Sequence, residues 1–170
     1  MAWSNGPLTV YHATTGLSAN DIEQRGVDLT KCRLGTDFDQ GFYTTGIRNQ
    51  ANLFANQKYQ DEILKYNRRP LPHPLHAAVV EFSLDRGTLG RLDTLAFVVD
   101  RPDWLEFIQH CRLSAQHGHK PSGSYYDVVY GPVSNSRYEA IPGFEQLSFH
   151  TRPAIAILRW VDTHRGNPAL

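Results

Sequence analysis

An α+β fold is predicted by three features of the sequence. Short stretches suited to strands are interspersed with segments of helical period, without regular alternation. The helical segments fall in the first half and the middle, whereas strands dominate late. No repeat or low-complexity run interrupts them, and 170 residues (19.3 kDa) is the size of one ordinary domain, so residues 1–170 are expected to share a single core.

The elements follow in order. Leu8-Thr9-Val10-Tyr11-His12 comes after a Gly-Pro break and reads as a first strand closed by His12. Ser18-Ala19-Asn20-Asp21 resembles a capping box, and Gly26 stops the short helix it would start. Gly41 to Thr45 reads as a second strand, and Ile47, Ala51, Phe54 and Ala55 then recur at helical spacing. Three prolines between Arg68 and Pro74 mark an exposed loop. Ala77 to Leu84 is a strand, and Leu95 to Val99 is either a strand or a buried loop. Pro102 opens a helix with Trp104, Ile108 and Cys111 on one face, and Gly118 is expected to end it. Tyr126 to Tyr130 and Gln146 to His150 are strands joined by a loop holding Gly131, Pro132, Pro142 and Gly143. The last apolar run, Ala154 to Val161, fits helix or strand.

Composition limits the function classes. The chain is 41% apolar and 11% aromatic, and 17 basic residues balance 17 acidic ones, so nothing pulls it generally toward nucleic acid or an anionic membrane. Cys32 and Cys111 are too few for a disulfide framework and suit a reducing compartment. Met1 to Gly6 lacks the basic and apolar regions of a signal peptide, and no run is apolar for long enough to cross a bilayer. A cytoplasmic protein is expected; delivery into a host or target cell by another route would leave the same sequence.

The dinucleotide Gly-x-Gly-x-x-Gly, the phosphate loop and the Gly-x-Ser-x-Gly elbow are all absent. His73 with His76 and His117 with His119 have ligand-like spacing but bring no cysteine pair or carboxylate cluster, so they read as solvent-facing loop histidines and no metal is expected. More informative are His12, before Ala13-Thr14-Thr15, and Tyr43, whose strand neighbours Phe42 and Thr44 face the other way. That alternation sends Phe42 to the core and Tyr43 to a ligand, or else Tyr43 is buried with its hydroxyl on backbone.

Four blocks carry a resemblance: Tyr11-His12-Ala13-Thr14; Thr36 to Thr45 with Gln50-Ala51 behind it; Tyr126 to Val133; and Gln146 to Thr151. In that order they resemble a bacterial family of uncharacterised domains placed with the ADP-ribosyltransferases. Within that superfamily the chain is most similar to the His-Tyr-Glu branch, which includes diphtheria toxin and the poly-ADP-ribose polymerases. The resemblance implies split mixed and antiparallel sheets with a few helices around a cleft for NAD, with no metal.

It also implies roles. Tyr43 would stack on the cationic nicotinamide, beside Phe42 and Thr45, and His12 would hold the ribose hydroxyls. The backbone of Ala13 or Thr14 would meet the nicotinamide amide. Arg33, with Lys31 and Arg48 as other candidates, would meet the pyrophosphate, although exposed solvated cations are the commoner state of such residues. Bond cleavage passes through an oxocarbenium-like state, which the branch supports with a glutamate. Alignment puts Gln146 at that position with Glu145 before it, and alternation sends the two to opposite faces, so either is the third group. The implied activity is transfer of ADP-ribose from NAD to a macromolecule by a toxin, effector or defence protein. NAD hydrolysis, or binding of NAD, ADP-ribose or a protein without chemistry, are the alternatives. Neutral charge favours a protein acceptor over nucleic acid, and a neutralising protein partner is compatible with the toxin reading. Acceptor choice would fall to the loops Lys31 to Gln40 and Val133 to Gly143, which carry no readable code.

Overall fold

In a computed structural model the described residues are 6–66, 75–114 and 117–166; the proline-rich segment from Arg68 to Pro74 lies outside them. The chain runs β1 (Leu8–Thr15), α1 (Gly16–Arg25), β2 (Phe42–Thr44), α2 (Arg48–Lys65), β3 (Ala77–Leu84), α3 (Arg86–Leu89), β4 (Thr94–Ala96), α4 (Pro102–Leu113), β5 (Val128–Ser134), β6 (Ala140–Phe149), α5 (Arg152–Ala156) and β7 (Arg159–Arg165). The fold is α+β. One sheet, ordered β1-β3-β7, is antiparallel throughout. The other, ordered β2-β6-β5-β4, is mixed, because β4 runs parallel to β5.

Period-two patterning decides how the sheets pack. Along β3 the even residues Ala78, Val80, Phe82 and Leu84 face the mixed sheet, where they meet Phe42, Val128, Leu147 and Phe149 in the main core. The odd residues Ala77 and Val79 face outward, with Ala13, onto Ala51 and Ala55 of α2. On the outer face of the mixed sheet, Val129 and Phe38 meet Trp104 and Ile108 of α4. Both sheets are thus covered on two faces. Each fully buried side chain of this size contributes roughly 1.5–3 kcal/mol.

Among the described residues the two sheets share one backbone bridge, and it shapes everything nearby. Tyr11 exchanges both backbone hydrogen bonds with Thr45, N to O at 2.8 Å and O to N at 2.9 Å, and the strands part on either side of that bridge.

Several expectations are corrected. β1 runs three residues past His12, so the histidine lies inside the strand rather than at its end. Thr15, not the Ser18 segment, caps α1, although Gly26 does stop it, at φ 80°. Helix α4 ends at Leu113, because Ser114 turns extended (ψ 132°), well before Gly118. Gly131 and Pro132 lie within β5, and Pro142 and Gly143 within β6. Pro132 sits at the register irregularity before Ser134, where a missing donor costs the ladder least. The last apolar run divides into α5 and the start of β7. Helix α3 is unanticipated. Its signal is Asp85, whose carboxylate accepts from Thr88 N at 2.7 Å as an N-cap.

Candidate functional site

Beyond the Tyr11–Thr45 bridge, β1 and β2 diverge, with α1, α2 and the 31–37 segment around the gap. A cleft of about 610 Å³ opens there. Its walls include His12, Ala13, Thr14, Arg33, Phe42, Tyr43, Thr45 and Gln146. The volume is in the range of about 300–1,000 Å³ typical of small-ligand sites.

His12 projects from β1 and stacks on Phe42, with ring centroids 4.1 Å apart at 24°. Its Nδ1 lies 2.6 Å from the backbone oxygen of Tyr43. A carbonyl only accepts, so the proton is on Nδ1 and the Nε2 lone pair is left free. Desolvation, then the nearby charge of Lys58, lower the His12 pKa to about 3. At neutral pH it is therefore an uncharged ring offering one acceptor.

Tyr43 is partly buried with its hydroxyl on backbone, the second of the two readings. Its hydroxyl is occupied by the 36–39 turn: it lies 2.7 Å from Thr36 Oγ1, accepts from Phe38 N (2.8 Å) and donates to Asp39 O (2.9 Å). Burial holds its pKa well above the usual phenol value. The ring nevertheless lines the cleft, so the residue presents an aromatic face and no spare hydroxyl. Phe42 is both core and wall: its ring packs edge-on against Phe82 at 5.7 Å.

Backbone geometry separates Ala13 from Thr14. Tyr11 points its N–H and C=O toward β2, so by alternation Ala13 presents both groups on that same edge, past the point where β2 has moved away. The backbone groups of Thr14 face β3. Of the two, only Ala13 therefore turns its N–H and C=O toward the cleft edge. At present Lys58 Nζ donates to Ala13 O at 2.7 Å. Lys58 as a whole is exposed, but its ammonium is sunk at the cleft wall, and desolvation there lowers its pKa.

Of the adjacent pair Glu145 and Gln146, Gln146 is the one that lines the cleft. Its Nε2 donates to Asp37 Oδ2 (2.8 Å) and to Pro132 O (3.1 Å). Glu145 points away: Oε1 accepts from Gly46 N (3.1 Å) and Oε2 from the Tyr130 hydroxyl (2.8 Å). Thr45 is buried beside the cleft and accepts from Ile47 N at 3.1 Å. Arg33 is exposed at the cleft wall with no ion-pair partner among the described residues. Lys31 is paired with Asp21, and Arg48 is exposed on α2 outside the lining.

Asp37 and Lys58 line the cleft without having been singled out from the sequence. Asp37 sits in a polar connection that reads as a turn, and Lys58 on a helix face that reads as solvated. Of the two loop histidines at 117 and 119, His117 is exposed as expected, whereas His119 is buried rather than solvent-facing. His117 Nδ1 lies 3.0 Å from Asp39 Oδ1, and the buried His119 bonds Phe38 O through Nε2 (2.9 Å), so both clamp the turn that carries Tyr43's hydroxyl. Among the described residues no three His, Cys, Asp or Glu side chains form a metal-binding group, and no helix is long and apolar enough to cross a membrane.

A family model described as a protein of unknown function (DUF3990) matches residues 8–160, from the start of β1 into β7. No curated protein matches the chain.

Proposed function

The chain belongs to the DUF3990 family, and from that premise and the cleft we propose that it is an NAD-dependent mono-ADP-ribosyltransferase, acting on a macromolecular acceptor. One observation carries the reading: a neutral imidazole, an aromatic ring face and a side-chain amide, from three different strands, line one cleft beside a backbone edge at Ala13 that no strand pairs among the described residues. This set matches the parts of NAD around its labile bond. The carboxamide of nicotinamide pairs with N–H and C=O of Ala13 after the Lys58 ammonium moves aside. The cationic ring lies on Tyr43. The ribose hydroxyls donate to Nε2 of His12, and Arg33 at the cleft wall meets the pyrophosphate.

Breaking the bond from ribose C1′ to the nicotinamide nitrogen sends the bonding pair to nicotinamide, whose positive charge disappears as the sugar becomes oxocarbenium-like. Gln146 supports that sugar by hydrogen bonding rather than by full charge, so this site relies on orientation more than on Coulomb attraction. A nucleophilic oxygen or nitrogen of the acceptor then attacks C1′ and loses its proton to solvent. With no net charge to draw nucleic acid, a protein acceptor is favoured. Such an activity suits a toxin, effector or defence protein, acting in the cytoplasm of its own or a target cell and held in check by a neutralising protein. Purified protein incubated with NAD and cell extract should release nicotinamide and label macromolecules with ADP-ribose. Nicotinamide without label would mean hydrolysis. Neither product, with NAD still raising Tm, would mean a binding domain.

A further inference from the structure

The side-chain amide of Gln146 has its two ends in different surroundings. Both N–H bonds are used on the cleft wall, toward Asp37 Oδ2 and Pro132 O. Its Oε1 accepts no hydrogen bond from the described residues, and the residue lines the cleft. Two acceptors therefore dictate which way the amide faces, nitrogen inward and oxygen toward the ligand. A carboxylate at 146 would set an oxygen against both acceptors.

Asp37 is held rigidly enough to impose this. It is 7% exposed, and every contact it makes is a donor. Oδ1 accepts from Arg112 Nε (3.0 Å), from Arg112 Nη2 and from Ser134 Oγ (3.1 Å), while Oδ2 accepts from Ser134 N (2.8 Å) besides Gln146. The guanidinium is itself fixed, donating to Asn135 O at 3.1 Å and lying 5.2 Å from the centre of the Tyr138 ring. The titratable and charged groups facing Asp37 are Arg112 and Cys111 from α4 and Tyr43 from β2; Ser134 and Pro132 from β5 and Gln146 from β6 complete its surroundings.

We propose that Asp37 is the positioning residue for Gln146, turning its amide oxygen into the cleft as the acceptor for a ribose hydroxyl. This rests on the NAD reading of the cleft. It also accounts for glutamine where the His-Tyr-Glu branch has glutamate: the wall carboxylate at 37 requires an N–H donor at 146. Two carboxylates in hydrogen-bond contact hold one shared proton until rising pH removes it, after which they repel each other.

The test measures nicotinamide release and Tm from pH 5.5 to 8.5 in the wild type, in Gln146→Glu and in Asp37→Asn/Gln146→Glu. Relative to wild type, Gln146→Glu should lose at least about tenfold between the acidic and alkaline ends of the range, the scale of one pKa unit of interaction. The double variant restores an N–H donor facing the new carboxylate, so its pH profile should return to the wild-type shape. It also keeps the proposal testable if the single variant folds poorly at high pH. Gln146→Glu with a wild-type profile, or a double variant without rescue, overturns the proposal. A wild type that releases no nicotinamide and gains no Tm from NAD overturns the NAD reading and this role with it. In that case a pH-dependent Tm in Gln146→Glu alone would leave the contact standing as a feature of the fold.

Discussion

Gln50 on α2 pairs with the main chain of Glu145 as a neighbouring strand would: its Nε2 donates to Glu145 O at 2.6 Å and its Oε1 accepts from Glu145 N at 3.0 Å. Gln50 is 3% exposed, so water cannot replace either bond. The pair anchors β6 to α2 one residue before Gln146 and thereby fixes which face that residue presents. Gln50→Ala should lower unfolding free energy by about 2 kcal/mol, the cost of stranding buried polar groups. Urea denaturation would measure it. A change within a few tenths would mean that the amide does not anchor the strand.

Tyr43 separates two contributions that a single truncation would merge. Since its hydroxyl is engaged with the 36–39 turn and its ring faces the cleft, Tyr43→Phe should cost roughly 1–2 kcal/mol of stability while keeping most nicotinamide release. Tyr43→Ala should abolish release, as should His12→Ala, which also removes the ring stacked on Phe42. Circular dichroism would report that each remains folded. Full release by both alanine variants would remove the proposed chemistry.

The strands whose partners lie close in pattern were legible: β3 was read to its ends because a run of apolar residues there is buried on both faces. The two faces of β2 were legible too, since alternation alone separates Phe42 from Tyr43. What the sequence did not reveal depends on long-range geometry. Asp37 finds Gln146 across 109 positions and Arg112 across 75, and neither contact leaves a local trace. Pro132 and Pro142 were read as loop because proline removes a ladder donor. The irregular pairing after Pro132 accommodates the first of them, and Pro142 lies between the paired stretches of β6. The end of β1 was misplaced because pairing with Ala77 and Ala78, not residue preference, carries it through Thr14 and Thr15.

Glu145 and Gln146 make a paired prediction. Glu145 bonds Gly46 N and the Tyr130 hydroxyl, away from the cleft, and Gln146 lines it. Gln146→Ala should reduce kcat for nicotinamide release by about 10²-fold, the usual effect of one transition-state hydrogen-bonding group. Glu145→Ala should leave kcat within about threefold and lower stability by roughly 1 kcal/mol. The reverse pattern would place the carboxylate, not the amide, at the reacting sugar.

Acid should destabilise the fold well above the range where carboxylates titrate. Burial, then the neighbouring His119, push the His150 pKa down to about 3, and burial lowers that of His119 as well. Both rings bond as neutral species: His150 Nδ1 donates to Gln40 O (2.7 Å) and its Nε2 accepts from Ser148 Oγ (2.7 Å), while His119 accepts from Tyr126 N and donates to Phe38 O. In the unfolded chain a histidine takes its proton near pH 6.5, and in the fold only far lower, so the unfolded state binds more protons between those values. For His150 that contribution is therefore complete above about pH 6.5 and is lost as pH falls toward 3, with a slope of about 1.4 kcal/mol per pH unit, and the lowered pKa of His119 acts in the same direction. His150, 7% exposed, should follow this slope more closely than His12, which faces the cleft where water screens a charge. Urea midpoints at pH 7.5, 6.5, 5.5 and 4.5 should be level over the first interval and then decline. His150→Phe should flatten the decline even if it lowers the plateau, and a midpoint unchanged from pH 6.5 to 4.5 would show that the rings already carry protons inside the fold.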